Sequence, residues 1–278
     1  MMTNKALITG AAGGMGRACA RLLGNSHELV LTDLATQGFD GFVEELRADG
    51  NSVQAFPGDL GGESVLSSLA GTLDGPGRFT VIHTAGIGPS QGDWRRIIEI
   101  NLIATERLLR AIEPRLVPGS VGILIASLAA HMMPLSEEII ALLDDPLDPD
   151  LLDKLAPIVD RMAPELGPGG DQALAYVFAK SAVRRMAEQR AEAWGKKQAR
   201  IVSISPGVIM TPMGRREMVS SPGAAAHGDA AALGRKGTPM DIALTAQFLA
   251  SDAAAYVTGT DLRVDGGSMA VQRFHSEH

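Results

Sequence analysis

Apolar residues fall along this chain in two alternating rhythms. Short apolar runs at residues 6–9 and 121–126, and short strand-like segments at 28–32, 52–56, 79–83, 201–205 and 261–264, predict the strands of a parallel sheet. Between them, apolar residues recur with helical spacing at residues 15–23, 42–49, 63–72, 94–116, 172–194 and 241–251. In the longest of the early helices the stripe is Trp94, Ile97, Ile98, Leu102, Leu108, Leu109 and Ile112. Gly50 and Gly195 mark expected helix ends. Strands alternating with helices predict an α/β fold, a doubly wound parallel sheet flanked by helices.

Two segments break the rhythm. Residues 131–170 carry six prolines (134, 146, 149, 157, 164 and 168) and two short periodic pieces, 136–143 and 149–162, which predict two small helices on a long excursion. Asp148 is suited to cap the second piece, Pro149 to begin it and Pro157 to kink or split it. Leu135, Ile139, Leu142, Leu143, Leu151, Leu155, Ile158 and Met162 give the excursion more apolar surface than a solvated loop needs. It must bury that surface either as a lid over a substrate cleft, together with Met213 and Met218, or on the outer face of the 172–194 helix, where it would alter an oligomer interface. The second segment, 213–236, is rich in Gly, Ala, Ser and Met without a firm period and reads as mobile.

Composition narrows the class. The chain has 278 residues, 45% hydrophobic and 4% aromatic, with 32 glycines, which suits an aliphatic parallel sheet with many short turns in one domain spanning residues 1–278. A net charge of -7, with basic pairs scattered among acids, argues against a nucleic-acid partner. The single Cys19 has no disulfide or metal partner and reads as a buried small hydrophobe in a reducing compartment. Only four residues precede Lys5 and the longest apolar run, 121–130, is too short to span a bilayer, so the expectation is a cytoplasmic protein with no membrane partner.

Residues 5–16, Lys-Ala-Leu-Ile-Thr-Gly-Ala-Ala-Gly-Gly-Met-Gly, read as strand, tight loop and helix. Gly10, Gly14 and Gly16 supply free torsions, close approach of main chain to a pyrophosphate, and tight packing of helix on strand. The helix N-terminus then offers N–H groups and a positive dipole end to the anion. The next strand ends at Asp33, about 20 residues downstream, where such folds place an acid against the adenosine ribose. The arrangement is Rossmann-type. A carboxylate there would repel the 2′-phosphate of NADP, and neither Gly13 nor Leu34 offers a cation, so the expected cofactor is NAD. Farther on, Asn101 lies in mid-helix, where Asn either points to solvent or answers a specific hydrogen-bonding need. Ser127 stands at the carboxyl end of a strand, where ligands of open α/β sheets bind, and is either chemical or satisfied by backbone. Tyr176 and Lys180 are one helical turn apart and share a face. The six His are scattered, without the paired spacing of a metal site.

Taken together, Thr9-Gly10-x-x-x-Gly14-x-Gly16, Asp59-Leu60, Ala85-Gly86, Asn101, Ser127, Tyr176-x-x-x-Lys180, Pro206-Gly207-x-x-x-Thr211 and Asp265-Gly266-Gly267 resemble, in order and over nearly the whole chain, the compact short-chain dehydrogenase/reductase family. The run around Tyr176, residues 191–195 and the excursion before Tyr176 look like the sub-group that includes bacterial 3α-hydroxysteroid dehydrogenase/carbonyl reductases. The family usually shows Asn-Asn-Ala-Gly where this chain has His83-Thr84-Ala85-Gly86, and His83 is read as a satisfied strand-end residue rather than a catalytic base.

The resemblance implies an oxidoreductase that interconverts a secondary alcohol and a ketone. Its catalytic residues would be Asn101, Ser127, Tyr176 and Lys180. Its cofactor contacts would come from Gly10, Gly14, Met15, Gly16, Asp33, Leu34, Asp59, Leu60, Ala85, Gly86, Tyr176, Lys180, Pro206, Gly207, Ile209 and Thr211. Tyr176 would be the general acid/base, its phenol pKa lowered from about 10 by the Lys180 ammonium and the oxidised nicotinamide. Ser127 would orient the substrate oxygen, and Asn101 would join a water-linked relay toward Lys180. A hydroxysteroid or other bulky alicyclic molecule is the expected substrate and a homo-oligomer the expected assembly. A 3-oxoacyl thioester reductase and a non-catalytic dinucleotide sensor are the alternatives; a sensor would commonly lose the tyrosine or lysine retained here. Extended epimerase relatives need a sizeable C-terminal domain, and about 70 residues follow Pro206.

Overall fold

A computed structural model describes residues 4–34, 38–75, 77–220, 223, 226 and 229–275. Seven strands form one sheet, β1 (Lys5–Thr9), β2 (Glu28–Thr32), β3 (Val53–Ala55), β4 (Phe79–His83), β5 (Val121–Ile125), β6 (Arg200–Pro206) and β7 (Asp261–Val264), in the order β3-β2-β1-β4-β5-β6-β7. Every pairing is parallel. Thr9, last in β1, faces Thr32 on one side and His83 on the other, so the strand order reverses at β1. Ligands of such sheets bind in the crevice beyond the carboxyl ends at that reversal.

The two faces of the sheet bury two cores, and successive strand residues alternate between them. Ala6 and Ile8 join Leu29, Leu31, Ile123 and Ile204 beneath the helices α1 (Gly14–Leu23), α2 (Phe39–Ala48) and α10 (Pro239–Ala250). Leu7, Val30 and Val81 face the opposite way, onto α3 (Glu63–Thr72), α4 (Trp94–Ile98), α5 (Ala104–Ile112) and α8 (Gly170–Lys196). Gly122 leaves space in β5 for Trp194: a Cβ there would lie 2.7 Å from the indole ring. Cys19 is fully buried on the inner face of α1, as a small hydrophobe would be.

Several local features differ from the sequence expectation. The 94–116 stretch is not one regular helix: a π turn, Glu99–Ile103, separates α4 from α5 and contains Asn101. The second piece of the excursion begins two residues late, as α7 (Leu151–Met162), while the Asp148 carboxylate accepts the Asp150 N–H in the preceding turn. Pro157 does not split α7; it and Asp153, whose carbonyl it leaves without an N–H partner, both stand on the exposed face, where water can satisfy that oxygen. Gly195 does not end α8. The chain runs on to Lys196, and Gln198 adopts the left-handed conformation at φ 56°. Part of the expected mobile segment is helical, α9 (Pro212–Ser220), whereas residues 221, 222, 224, 225, 227 and 228 of it lie outside the described residues. A final helix, α11 (Ser268–His275), was not foreseen.

The excursion folds as two helices, α6 (Glu137–Leu143), capped by the Ser136 hydroxyl, and α7. Ile139, Leu143, Leu151, Leu155, Ile158 and Val159 are buried in the same core as Phe178, Ala182 and Met186 of α8. Asp144 at the end of α6 makes a bidentate pair with Arg185 of α8, its Oδ1 accepting from Nε at 3.0 Å and Oδ2 from an Nη at 2.5 Å. The insert thus lies along the flank of α8 that carries Arg185. No helix among the described residues is long and apolar enough to cross a membrane.

Candidate active site

Three of the expected catalytic side chains converge beyond the carboxyl end of β5. Lys180, 6% exposed, donates from Nζ to the Ile125 carbonyl at 2.8 Å, and its ammonium lies 5.9 Å from the centre of the Tyr176 ring, one turn away on α8. Burial lowers the Lys180 pKa to about 8. Ser127, two residues past β5, accepts the Ala129 N–H at 3.2 Å, which fixes the short helical turn Leu128–His131 that follows, and its hydroxyl stands close enough to the Tyr176 phenol to lower that group's pKa. The expected lowering of the phenol pKa does not result from the protein's own groups: burial raises it more than the Ser127 hydroxyl lowers it, and the charge of Glu217 raises it further.

Asn101 is 1% exposed, so of its two readings the specific hydrogen-bonding need holds. Its side-chain amide clamps the main chain of one residue, Oδ1 accepting from Ile87 N at 2.8 Å and Nδ2 donating to Ile87 O at 2.9 Å. The neighbouring Gly86 has no room for a side chain: a Cβ would sit 2.9 Å from Asn101 Oδ1 and 3.5 Å from Lys180 Nζ. The turn after β4 is thereby held against the buried lysine.

The cofactor end is built at the β1 and β4 tips. Gly10 takes φ +66°, and a Cβ on it would lie 2.7 Å from the Ala85 nitrogen, so the glycine loop and the Ala85-Gly86 turn touch across the reversal point. Gly16 packs on the Gly10 carbonyl, and a Cβ on Gly14 would meet the Thr211 methyl at 2.8 Å. No side chain caps α1, whose first turn follows the loop. This main-chain cradle, which side chains would fill, fits a dinucleotide pyrophosphate. Asp33 follows β2, its Oδ2 accepting the Ala12 N–H of the loop at 2.8 Å, and Leu34 beside it is exposed. The Asp33 carbonyl takes the Gly58 N–H at 3.0 Å, which brings Asp59 and the buried Leu60 alongside. Asp59 folds back on Gly61 N at 2.8 Å and lies 3.6 Å from Arg96. Met15 packs partly into the core beneath α1. Pro206 ends β6, Gly207 approaches Asp265, Ile209 is buried, and Thr211 accepts the Gly214 N–H at 2.9 Å.

Sequence reasoning passed over three side chains here. Arg17, one turn into α1, reaches the Ala12 and Gly38 carbonyls at 2.9 and 2.6 Å, so a cation does stand in the loop that Asp33 joins. Glu217 of α9 accepts from the Ser90 N–H at 3.2 Å and the Ser90 hydroxyl at 2.5 Å, and its charge reaches the phenol. The position of Arg17 beside the glycine motif was a usable signal; Glu217 and Ser90 had none, because both lie in stretches without period. Where the family has two asparagines, His83 and Thr84 supply the sheet with bonds of their own. Thr84 Oγ1 donates to the Thr9 carbonyl at 2.7 Å, and buried His83 bonds through both ring nitrogens, to Thr9 Oγ1 and Thr105 Oγ1 at 2.7 Å each. Desolvation, with the Lys180 charge, lowers the His83 pKa to about 3, so the ring is neutral and, as expected, no base. Among the described residues no group of three His, Cys, Asp or Glu could hold a metal ion.

Comparison with known proteins divides the chain in two: residues 4–137 match the family described as short chain dehydrogenase, and residues 165–269 match that described as Enoyl-(Acyl carrier protein) reductase. Between the matches lie α7 and most of α6, the part outside the common pattern. The fold and these matches define an oxidoreductase of the nicotinamide-dinucleotide class, and the chain belongs to the short-chain dehydrogenase/reductase family. It is similar to D-threitol dehydrogenase of Mycolicibacterium smegmatis, 28% identical over 94% of this chain and 91% of that one. It is likewise similar to 3-alpha-hydroxysteroid dehydrogenase/carbonyl reductase of Comamonas testosteroni, 27% identical over 96% and 97%. Among solved structures, a short-chain type dehydrogenase/reductase from Mycobacterium ulcerans aligns with a TM-score of 0.75 at 26% identity, over 97% of this chain and 91% of that one.

Proposed function

We propose that this protein interconverts a secondary alcohol and a ketone with NAD(H), on a bulky alicyclic substrate such as a hydroxysteroid. The observation that carries the reading is the meeting of Ser127, Tyr176 and Lys180 beyond β5, beside the turn that touches the glycine loop. When bound, the cofactor supplies the hydride and, oxidised, a positive charge that favours the phenolate. Tyr176 donates its phenol proton to the substrate oxygen in reduction and withdraws it in oxidation. Ser127 orients that oxygen, and Lys180, a cation near neutral pH, holds the turn and the phenol in register. Asn101 fixes the Ile87 main chain beside them. Gly10, Gly14 and Gly16 hold the pyrophosphate, Asp33 the adenosine ribose, Asp59 and Leu60 the adenine, and Ile209 and Thr211 the carboxamide.

The substrate class is supported by the similarity to the hydroxysteroid dehydrogenase/carbonyl reductase. A second reading, reduction of an oxoacyl thioester with NADPH, is favoured by the match of residues 165–269 to an acyl-carrier-protein reductase family. Oxidation of androsterone, cyclohexanol and threitol with NAD and NADP, and reduction of 2-decalone and acetoacetyl thioester with NADH and NADPH, separate the two. Tyr176→Phe then tests the chemistry. Its kcat is expected to fall by about 10²-fold or more, the usual scale of general acid/base catalysis, with NADH binding by fluorescence nearly unchanged. Retention of more than a tenth of the rate rules the assignment out.

A further inference from the structure

His83 replaces a family asparagine, is buried, and has both nitrogens engaged, so its hydrogens can be placed by elimination. The Asn101 main-chain carbonyl only accepts, and Thr105 Oγ1 lies 2.8 Å from it. The single Thr105 hydroxyl hydrogen is therefore committed to that carbonyl, and His83 Nε2, at 2.7 Å, must be the donor to Thr105. At the other end the Ala85 N–H only donates, and it points at Thr9 Oγ1 at 3.3 Å. With Nδ1 unprotonated, the Thr9 hydroxyl hydrogen has an acceptor at 2.7 Å. With a hydrogen on Nδ1, Thr9 would receive two donors and have nowhere to give its own. Both ends select the same tautomer, and a doubly protonated ring would add a charge beside Lys180 in a site closed to water.

We propose that His83 is a positioning residue: as the neutral Nε2–H tautomer it carries one continuous, singly oriented run of hydrogen bonds from the Ala85 N–H in the cofactor turn, through Thr9, His83 and Thr105, to the carbonyl of Asn101. The inference rests on the reading of Asn101 and Lys180 as part of the reaction site. The run spans β1, β4 and the start of α5 and ends in the π turn from which the Asn101 side chain clamps Ile87. Its orientation therefore fixes the spacing between cofactor turn and Lys180, which Gly86 leaves no slack to absorb. Small displacements of reacting groups cost up to about 10²-fold in rate.

The test uses the whole enzyme labelled with ¹⁵N-histidine. Two-bond ¹H–¹⁵N spectra, with the His83 signal identified by its loss in His83→Gln, are expected to show the Nε2–H tautomer unchanged from about pH 5 to about pH 9, where an ordinary histidine titrates. An Nδ1–H tautomer, or titration in that range, overturns the proposal whether or not the enzyme turns over any alcohol. Thr105→Val, nearly isosteric, cuts the run at its last link. In 2-decalone reduction with NADH it is expected to lower kcat about tenfold or more, with the KM for 2-decalone and the NADH dissociation constant within about twofold. His83→Gln, which can accept and donate at once, is expected to keep more of the rate than His83→Phe, which can do neither. A lower melting temperature with unchanged kcat in both Thr105→Val and His83→Phe would make the run structural only and sink the proposal. If the wild-type enzyme reduces none of the screened ketones, the proposed function fails, and the tautomer measurement still decides this one.

Discussion

Asp33 and Arg17 meet at one loop with opposite charges. The carboxylate ties to Ala12 N and the guanidinium to Ala12 O, so the two charges bracket a single residue of the phosphate turn. Removing the carboxylate leaves the cation behind. Asp33→Ala is expected to lower kcat/KM with NADH about 10- to 100-fold, the value of a charged hydrogen bond of about 1.5–3 kcal/mol, and to raise it with NADPH. Unchanged discrimination between the cofactors would dismiss Asp33 as the selector. Glu217 acts on the phenol in a similarly definable way. Its anion disfavours the phenolate and raises the Tyr176 pKa; in Glu217→Gln that opposition is gone and the phenolate forms at lower pH. The rising limb of alcohol oxidation against pH should then shift toward acid. A limb that stays, or moves toward alkali, contradicts the assignment of that limb to Tyr176.

Among elements, α5 and α8 are joined by a buried ionic cluster. Arg190 pairs with Glu106, 3% exposed, at 2.5 Å and with Glu113 at 2.8 Å, and Glu113 also takes the Trp194 indole N–H at 3.1 Å. Arg190→Ala leaves the Glu106 carboxylate with Arg110 alone. Breaking a buried pair costs about 3–5 kcal/mol, so urea unfolding should show a loss near 3 kcal/mol with cofactor affinity preserved. A loss under about 1 kcal/mol would place the pair with ordinary surface bridges. The seven strands and most of the helices were legible, because a strand buried on both faces is largely apolar and a helix between strands needs one apolar stripe. What escaped the sequence was set by where each residue ends up in the fold: the π turn at the buried Asn101, the continuity of α7 through an exposed Pro157, and the left turn at Gln198 instead of Gly195. The same division holds in the site. Ser127, Tyr176 and Lys180 stood in readable patterns, whereas the partners of His83 come from residues 74 and 22 positions away, which no local pattern marks.

For the whole molecule, the insert decides which surface remains open. Six buried aliphatic side chains of α6 and α7 lie in the core of α8, each worth about 1.5–3 kcal/mol of burial. Replacing residues 133–168 with a short Gly-Ser link bares that flank. The expected result is a larger mass in light scattering with unchanged affinity for 2-decalone. A bulky ketone that loses affinity while cyclohexanone does not, at constant mass, would instead restore the lid.

The reversal of strand order at β1 has a consequence for synthesis. β1 leaves the ribosome before β2 and finds it within about two dozen residues, but the partner on its other side, where Thr9 meets His83, arrives 74 residues later. Until then the glycine loop has no Ala85-Gly86 turn to rest against, and one edge of β1 is bare. A nascent chain halted between β2 and β4 therefore carries the dinucleotide motif in full while lacking half of its cradle. On the proposed function, cofactor would steady only chains in which β4 has docked, so ligand present during translation should rescue late folding steps and leave early ones untouched.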